Sequence, residues 1–121
     1  MKDKSGVKIM NTISAEIDGK KYIIELFNHP IALKILQILP LTIDLTCWGN
    51  EAYGEIPLNT PSVSPQSTIP PGGIAFSEKG SYLCLFYGQT PAWPVDYIGR
   101  FEGESWKSLI NGNFKKLIIK N

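Results

Sequence analysis

The segment Ser81 to Gly88, SYLCLFYG, is apolar on both of its alternating faces, with Tyr82, Cys84 and Phe86 on one and Leu83, Leu85 and Tyr87 on the other. Successive side chains of a strand point to opposite sides, so such a strand has to be covered twice and belongs in the middle of a sheet. A shorter strand candidate, Gly73 to Phe76, precedes it across a turn at Ser77 to Gly80. The block Pro70 to Thr90, PPGGIAFSEKGSYLCLFYGQT, therefore forms the centre around which the other elements must be arranged.

Those elements read mainly as strands. Val7, Ile9 and Ile13 to Ile17 alternate with polar residues, Asp18-Gly19 interrupts, and Tyr22, Ile24 and Leu26 resume, which is a hairpin signature. Asn28-His29-Pro30 reads as a helix start with Asn28 as N-cap and Pro30 in the first turn. A helix over 30–39 follows, with Ile31, Ile35 and Ile38 in an apolar stripe beside Ala32 and Leu39, and Pro40 ends it. Leu41, Ile43, Leu45 and Cys47 alternate with Thr42, Asp44, Thr46 and Trp48, predicting one half-buried strand. After Gly49-Asn50, Glu51 to Ile56 predicts a strand with Ala52, Gly54 and Ile56 on a closely packed face and Glu51, Tyr53 and Glu55 on the other. Pro57 to Pro71 holds five of the nine prolines and reads as a long loop, either a functional lid or a mobile segment. Beyond the turn Gln89 to Pro94, strands are predicted over 95–102 and 114–120, with a short helix over 104–110 stopped by Asn111-Gly112. The 121 residues suffice for one domain, 1–121, with a core that needs neither disulfide nor metal as a staple.

Charge and motif content remove several function classes. A formal net charge of +1 creates no field that would gather nucleic acid or anionic lipid. The Lys20-Lys21 and Lys115-Lys116 pairs read as solvated strand ends. Met1 to Met10 has charge and glycine where a signal peptide needs an apolar core, and no run is long enough to cross a membrane as a helix, so a cytoplasmic location is expected. Cys47 and Cys84 lack C-x-x-C spacing and read as buried free thiols. One histidine, His29, without a cluster at ligand spacing gives no basis for a metal site or a cofactor, and a Ser-His-Asp triad would have to be built around it. Glu51 and Glu55 share a strand face but stand about 13 Å apart along it, beyond glycosidase separations, so both read as solvated strand carboxylates.

The aromatics with polar tips, Tyr53, Tyr82, Trp93 and Tyr97, surround the central strands, and neighbouring loops are placed to bring several to one surface. Two readings stand side by side: a recognition groove, or ordinary core and barrel-rim aromatics.

Four stretches occur in a telling order: PIALKILQILPL with its following strand, WGNEAYGEIP, PPGGIAFSEKGSYLCLFYGQTP and YIGRFEG. As an ordered set covering most of 17–103 they resemble the cyclophilin-like fold, and more closely the small prokaryotic cyclophilin-like proteins. The resemblance implies a closed β-barrel with a helix over one open end. It also implies a test of residues, because cyclophilins proper are peptidyl-prolyl isomerases that lower a rotation barrier of about 18–20 kcal/mol without covalent chemistry. Their arginine strand corresponds to Tyr53-Gly54-Glu55-Ile56-Pro57, which puts Glu55 where a donor is needed, and an ionised carboxylate only accepts. Their Gly-Ser-Gln-Phe-Phe strand appears as Gly80-Ser81-Tyr82-Leu83-Cys84, and Val95 stands near the position of a histidine. Trp93 falls near the family's tryptophan. The resemblance therefore implies a binding module for a peptide or small molecule, with no catalytic residue assigned and a candidate groove of Tyr53, Glu55, Tyr82, Cys84, Trp93, Tyr97 and Arg100. The alternative is a weak isomerase with a rearranged donor, Arg100. Oligomeric state is not encoded in any of these features.

Overall fold

Asp18 and Gly19 take left-handed φ values of 47° and 88° and join β1 (Ile9–Ile17) to β2 (Lys20–Phe27), with Ile17 opposite Lys20, as the Asp-Gly signal predicts. The computed structural model describes residues 8–121; Val7, the first member of the predicted alternation, lies outside them. Helix α1 (Pro30–Ile38) follows, and its N-cap is His29 rather than Asn28. Pro30 occupies the first helical position and has no N–H to be capped, so the residue directly before it accepts instead, through Nδ1 from the Ile31 N–H at 3.1 Å. The helix buries Ile31, Ala32 and Ile35 in the main core.

The run 41–47 is one alternating pattern but two strands. β3 (Leu41–Asp44) pairs with β10 (Lys116–Lys120), whereas β4 (Thr46–Cys47) pairs with β5 (Glu51–Glu55). The chain bends at Leu45, whose N–H bonds to the Lys115 carbonyl, and so passes from one edge of the sheet to the other. Alternation survives the bend because both halves still bury one face. Closure also explains the small face of β5: a Cβ on Gly54 would lie 2.3 Å from the Asp44 carbonyl oxygen and 2.4 Å from Ile43, so only glycine lets β5 approach β3.

The remaining strands are β6 (Pro65–Gln66), β7 (Gly73–Ser77), β8 (Tyr82–Phe86) and β9 (Val95–Phe101). Among the described residues the order is β3-β10-β1-β2-β9-β7-β8-β5-β4, all antiparallel, with β6 added on β9. This is a mainly β, nearly closed barrel with one main helix. The predicted helix over 104–110 is a 3₁₀ turn, Ser105–Leu109, held by i→i+3 bonds such as Lys107 N–H to Glu104 C=O, as suits so short a segment.

β8 sits between β7 and β5, as its two apolar faces require. Leu83, Leu85 and Tyr87 point into the barrel with Phe76, Ile98 and Phe101. Cys84 and Phe86 belong to a second, outer cluster with Ile69, Ala75 and Val95, flanked by Tyr53, Tyr82 and Tyr97. The Pro57–Pro71 loop crosses this region and is pinned at several points. Lys34 Nζ donates to Thr60 Oγ1 at 2.7 Å, Ser62 N–H to Glu78 Oε1 at 2.7 Å, and Ser64 N–H to Asp96 Oδ1 at 2.7 Å. Among the described residues no helix is long and apolar enough to cross a membrane.

Candidate functional site

The antiparallel register of β5 and β8 places Glu51 opposite Phe86, Tyr53 opposite Cys84 and Glu55 opposite Tyr82. Directly opposed residues share a face, so all six start on the outside of the barrel. Five of them, all but Glu55, line a groove of about 320 Å³, together with Trp48, the segment Pro91 to Trp93 and Val95. Tyr53 and Tyr82 meet edge to face, ring centroids 5.1 Å apart. Gly80, at φ 83°, makes room for this arrangement, since a Cβ there would lie 2.2 Å from the Tyr82 ring.

Both tryptophans are exposed, Trp48 by 57% and Trp93 by 38%; the first is held through its backbone and the second through its indole. The Trp48 N–H bonds to the Glu51 carbonyl at 2.9 Å, and Asn50 within the same turn receives and gives bonds to Gln89, Tyr87 and Asn111. Trp93 donates its indole N–H to Ser77 Oγ at 2.8 Å, and the Lys79 ammonium lies 4.5 Å from the centre of its ring. Exposed indoles around a concavity, one of them held by a hydrogen bond, offer a surface for contact with something else.

Four of the seven predicted groove residues come together here: Tyr53, Tyr82, Cys84 and Trp93. Three stand elsewhere. Glu55 is exposed at the end of its row, past the groove. Tyr97 packs edge to face on Phe27 at 4.7 Å, and Arg100 donates from Nε to Glu25 Oε1 at 2.8 Å; both line a separate, smaller depression with Pro70, Gly72 and Trp106. They leave the groove because β7 lies between β9 and β8, and because a bulge between Ile74 and Ala75 shifts the β7–β9 register.

Glu51 is the residue that sequence reasoning missed. Expected as a solvated carboxylate, it is only 8% exposed, because Phe86 lies opposite it and the Trp48 and Pro91–Trp93 walls shield it. Burial raises its pKa from 4.5 to about 7, and among the described residues no neighbouring charge or hydrogen bond offsets that cost. The same burial pushes the Cys84 thiol well above the ordinary thiol range, with Glu51 adding to it, so Cys84 is an inert apolar surface and not a nucleophile. Both cysteines are free. The available signal was the shared face of Glu51 and Tyr53; what concealed the burial was that the walls come from two loops.

His29, Ser64 and Asp96 do meet. His29 Nε2 lies 3.4 Å from Ser64 Oγ and 3.5 Å from Asp96 Oδ1. Both contacts fall on one ring nitrogen while Nδ1 caps α1, so the carboxylate does not orient the ring from its far side as a hydrolytic triad demands. Burial lowers the His29 pKa, opposed by Asp96, and Asp96 itself is fully buried and receives the Val63 and Ser64 N–H groups. The trio anchors the proline-rich loop. Among the described residues no group of three or more His, Cys, Asp or Glu side chains is placed to hold a metal ion.

A family model described as cyclophilin-like matches residues 11–119. The solution structure of a hypothetical protein from Archaeoglobus fulgidus superposes with a TM-score of 0.71 at 18% identity, covering 93% of this chain and 95% of that one. No curated protein matches the sequence.

Proposed function

The chain belongs to the cyclophilin-like family, and from that premise we propose that it is a binding module whose outer groove on β5 and β8 holds a small molecule or a peptide segment. One observation carries this reading: two exposed tryptophans, two tyrosines and a mostly buried glutamate converge on one concavity. Prolyl isomerisation needs a donor aimed at the prolyl nitrogen. Among the described residues the groove lining has no arginine, lysine or histidine, and Arg100, which lines the other depression, is engaged with Glu25. Isomerase activity is the alternative, and a protease-coupled assay on a proline tetrapeptide anilide is expected to give no acceleration at high protein concentration. Measurable acceleration would revive it, with Arg100 as the donor if Arg100→Ala abolishes the effect and another donor if the effect survives.

The binding reading is tested by soaking crystals with a mixed set of amide, aromatic and ammonium fragments and short proline peptides. Occupancy between Trp48, Tyr53 and Trp93 is expected. Occupancy confined to the outer face of β1 and β2, or to the depression beside Tyr97, would overturn it.

A further inference from the structure

We propose that the groove recognises an organic cation, an ammonium or quaternary ammonium group, with Glu51 as its charge partner and the surrounding aromatic rings as its walls. The inference rests on the binding reading above and deepens it. Three observations meet. Glu51 lines the cavity and is more than nine-tenths buried, and its carboxyl makes no hydrogen bond or ion pair with any described residue, its oxygens keeping only residual contact with solvent at the groove. Among the described residues no Lys, Arg or His lines the same cavity, so none of them neutralises the carboxylate from within it. The remaining lining is dominated by Trp48, Tyr53, Tyr82, Phe86 and Trp93, whose ring faces attract cations and whose apolar bodies accommodate methyl groups.

A buried carboxylate is costly unless it is paired, and the missing partner here is positive. An anion would meet the carboxylate at close range and be repelled. A neutral apolar ligand would fill the space and leave the carboxyl stranded. The rim already shows the interaction in use, since the Lys79 ammonium rests on the Trp93 ring. That contact is at the edge and leaves Trp48, Tyr53 and Tyr82 for an incoming group.

Cation binding stabilises the ionised carboxylate, so affinity should rise with pH as Glu51 loses its proton. The other titratable groups around it are Cys84 and Tyr87, both pushed far above neutrality by burial, the phenols of Tyr53 and Tyr82, and Lys79 at the rim. With Glu51 titrating at about 7, the competent fraction grows about tenfold between pH 6 and pH 8.

The experiment titrates the whole protein with choline, with its neutral isostere 3,3-dimethylbutan-1-ol, and with an acetylated, amidated tripeptide carrying trimethyllysine, following the indole N–H signals of Trp48 and Trp93 by NMR. Choline is expected to bind at least tenfold tighter than the isostere at pH 8, to lose about tenfold at pH 6, and to lose its advantage in Glu51→Gln. Stronger binding of the tripeptide would identify a peptide side chain as the source of the cation, and equal binding a free molecule. Equal affinity for choline and the isostere, or a preference that survives Glu51→Gln, would overturn the cation while leaving the groove as a binding site. If neither cation shifts either indole, the inference falls; fragments found in the groove would then show that the binding reading outlives it.

Discussion

Two of the barrel's outer concavities treat charge in opposite ways. On β1, β2 and β10 a depression of about 510 Å³ is lined by Ser14, Glu16, Lys21, Glu102 and Lys120. Glu16 stands directly opposite Lys21, the lysines and Glu102 are exposed, and both signs are present in water. On β5 and β8 the smaller groove has one carboxyl, that of the mostly buried Glu51, unpaired among the described residues and set among rings. Exposed mixed charges are weakly coupled and screened, whereas a desolvated carboxyl stores a cost that a ligand can relieve. Size alone would choose the wrong concavity; unpaired buried charge distinguishes the second.

The contrast has measurable consequences, beginning with stability. Phe86, 1% exposed, is the floor of the groove, and Phe86→Ala is expected to cost about 3–5 kcal/mol by denaturant unfolding. On the other face Ile23, 44% exposed, should cost less than about 1 kcal/mol when replaced by alanine. Similar losses at both sites would erase the distinction between a buried groove floor and a solvated surface.

Glu51 provides the next effect. Its folded pKa lies above the unfolded value, so its contribution is fully present below about pH 4.5 and is lost as pH rises through about 7. Glu51→Gln removes that loss. The variant should match the parent at pH 4 and exceed it by about 1–3 kcal/mol at pH 8, judged by unfolding midpoints at the two values. A variant less stable than the parent at pH 8 would mean that the carboxylate has a partner in the folded state.

The smallest effect separates rim from floor. Trp48, 57% exposed, touches little of the core, and Trp48→Ala should change stability by no more than about 0.5 kcal/mol while weakening any ligand held in the groove. A large loss of stability would make this indole a packing residue and remove it from the proposed site.

Much of the barrel was legible because local pattern and global fold agree along most of the chain. The Asp18-Gly19 hairpin, the helix at Pro30 and the doubly apolar β8 each follow from a few residues. The break at Leu45 was hidden because a bent strand keeps its period-two burial while it changes partners. His29 took the cap from Asn28 because Pro30 leaves its own neighbour as the available acceptor.

The site was half legible for a related reason. Strand alternation puts Tyr53 with Glu51 and Tyr82 with Cys84, and cross-strand register joins the two rows. Where the walls end is decided by the Trp48 turn and the Pro91–Trp93 loop, which no period announces. Their positions shield Glu51 and leave Glu55 in solvent, reversing the importance the linear sequence gave those two carboxylates. Tyr97 and Arg100 were drawn in by motif proximity, and the intervening strand β7 carries them to a different depression.

The central claim is that an unpaired and largely desolvated carboxyl lines the β5–β8 groove. The direct measurement is a carbon-detected NMR titration of the Glu51 side-chain carboxyl in the ligand-free protein. A midpoint near 7 is predicted. A midpoint at or below the ordinary value of 4.5 would show a carboxylate that is solvated or already paired, and would contradict the account.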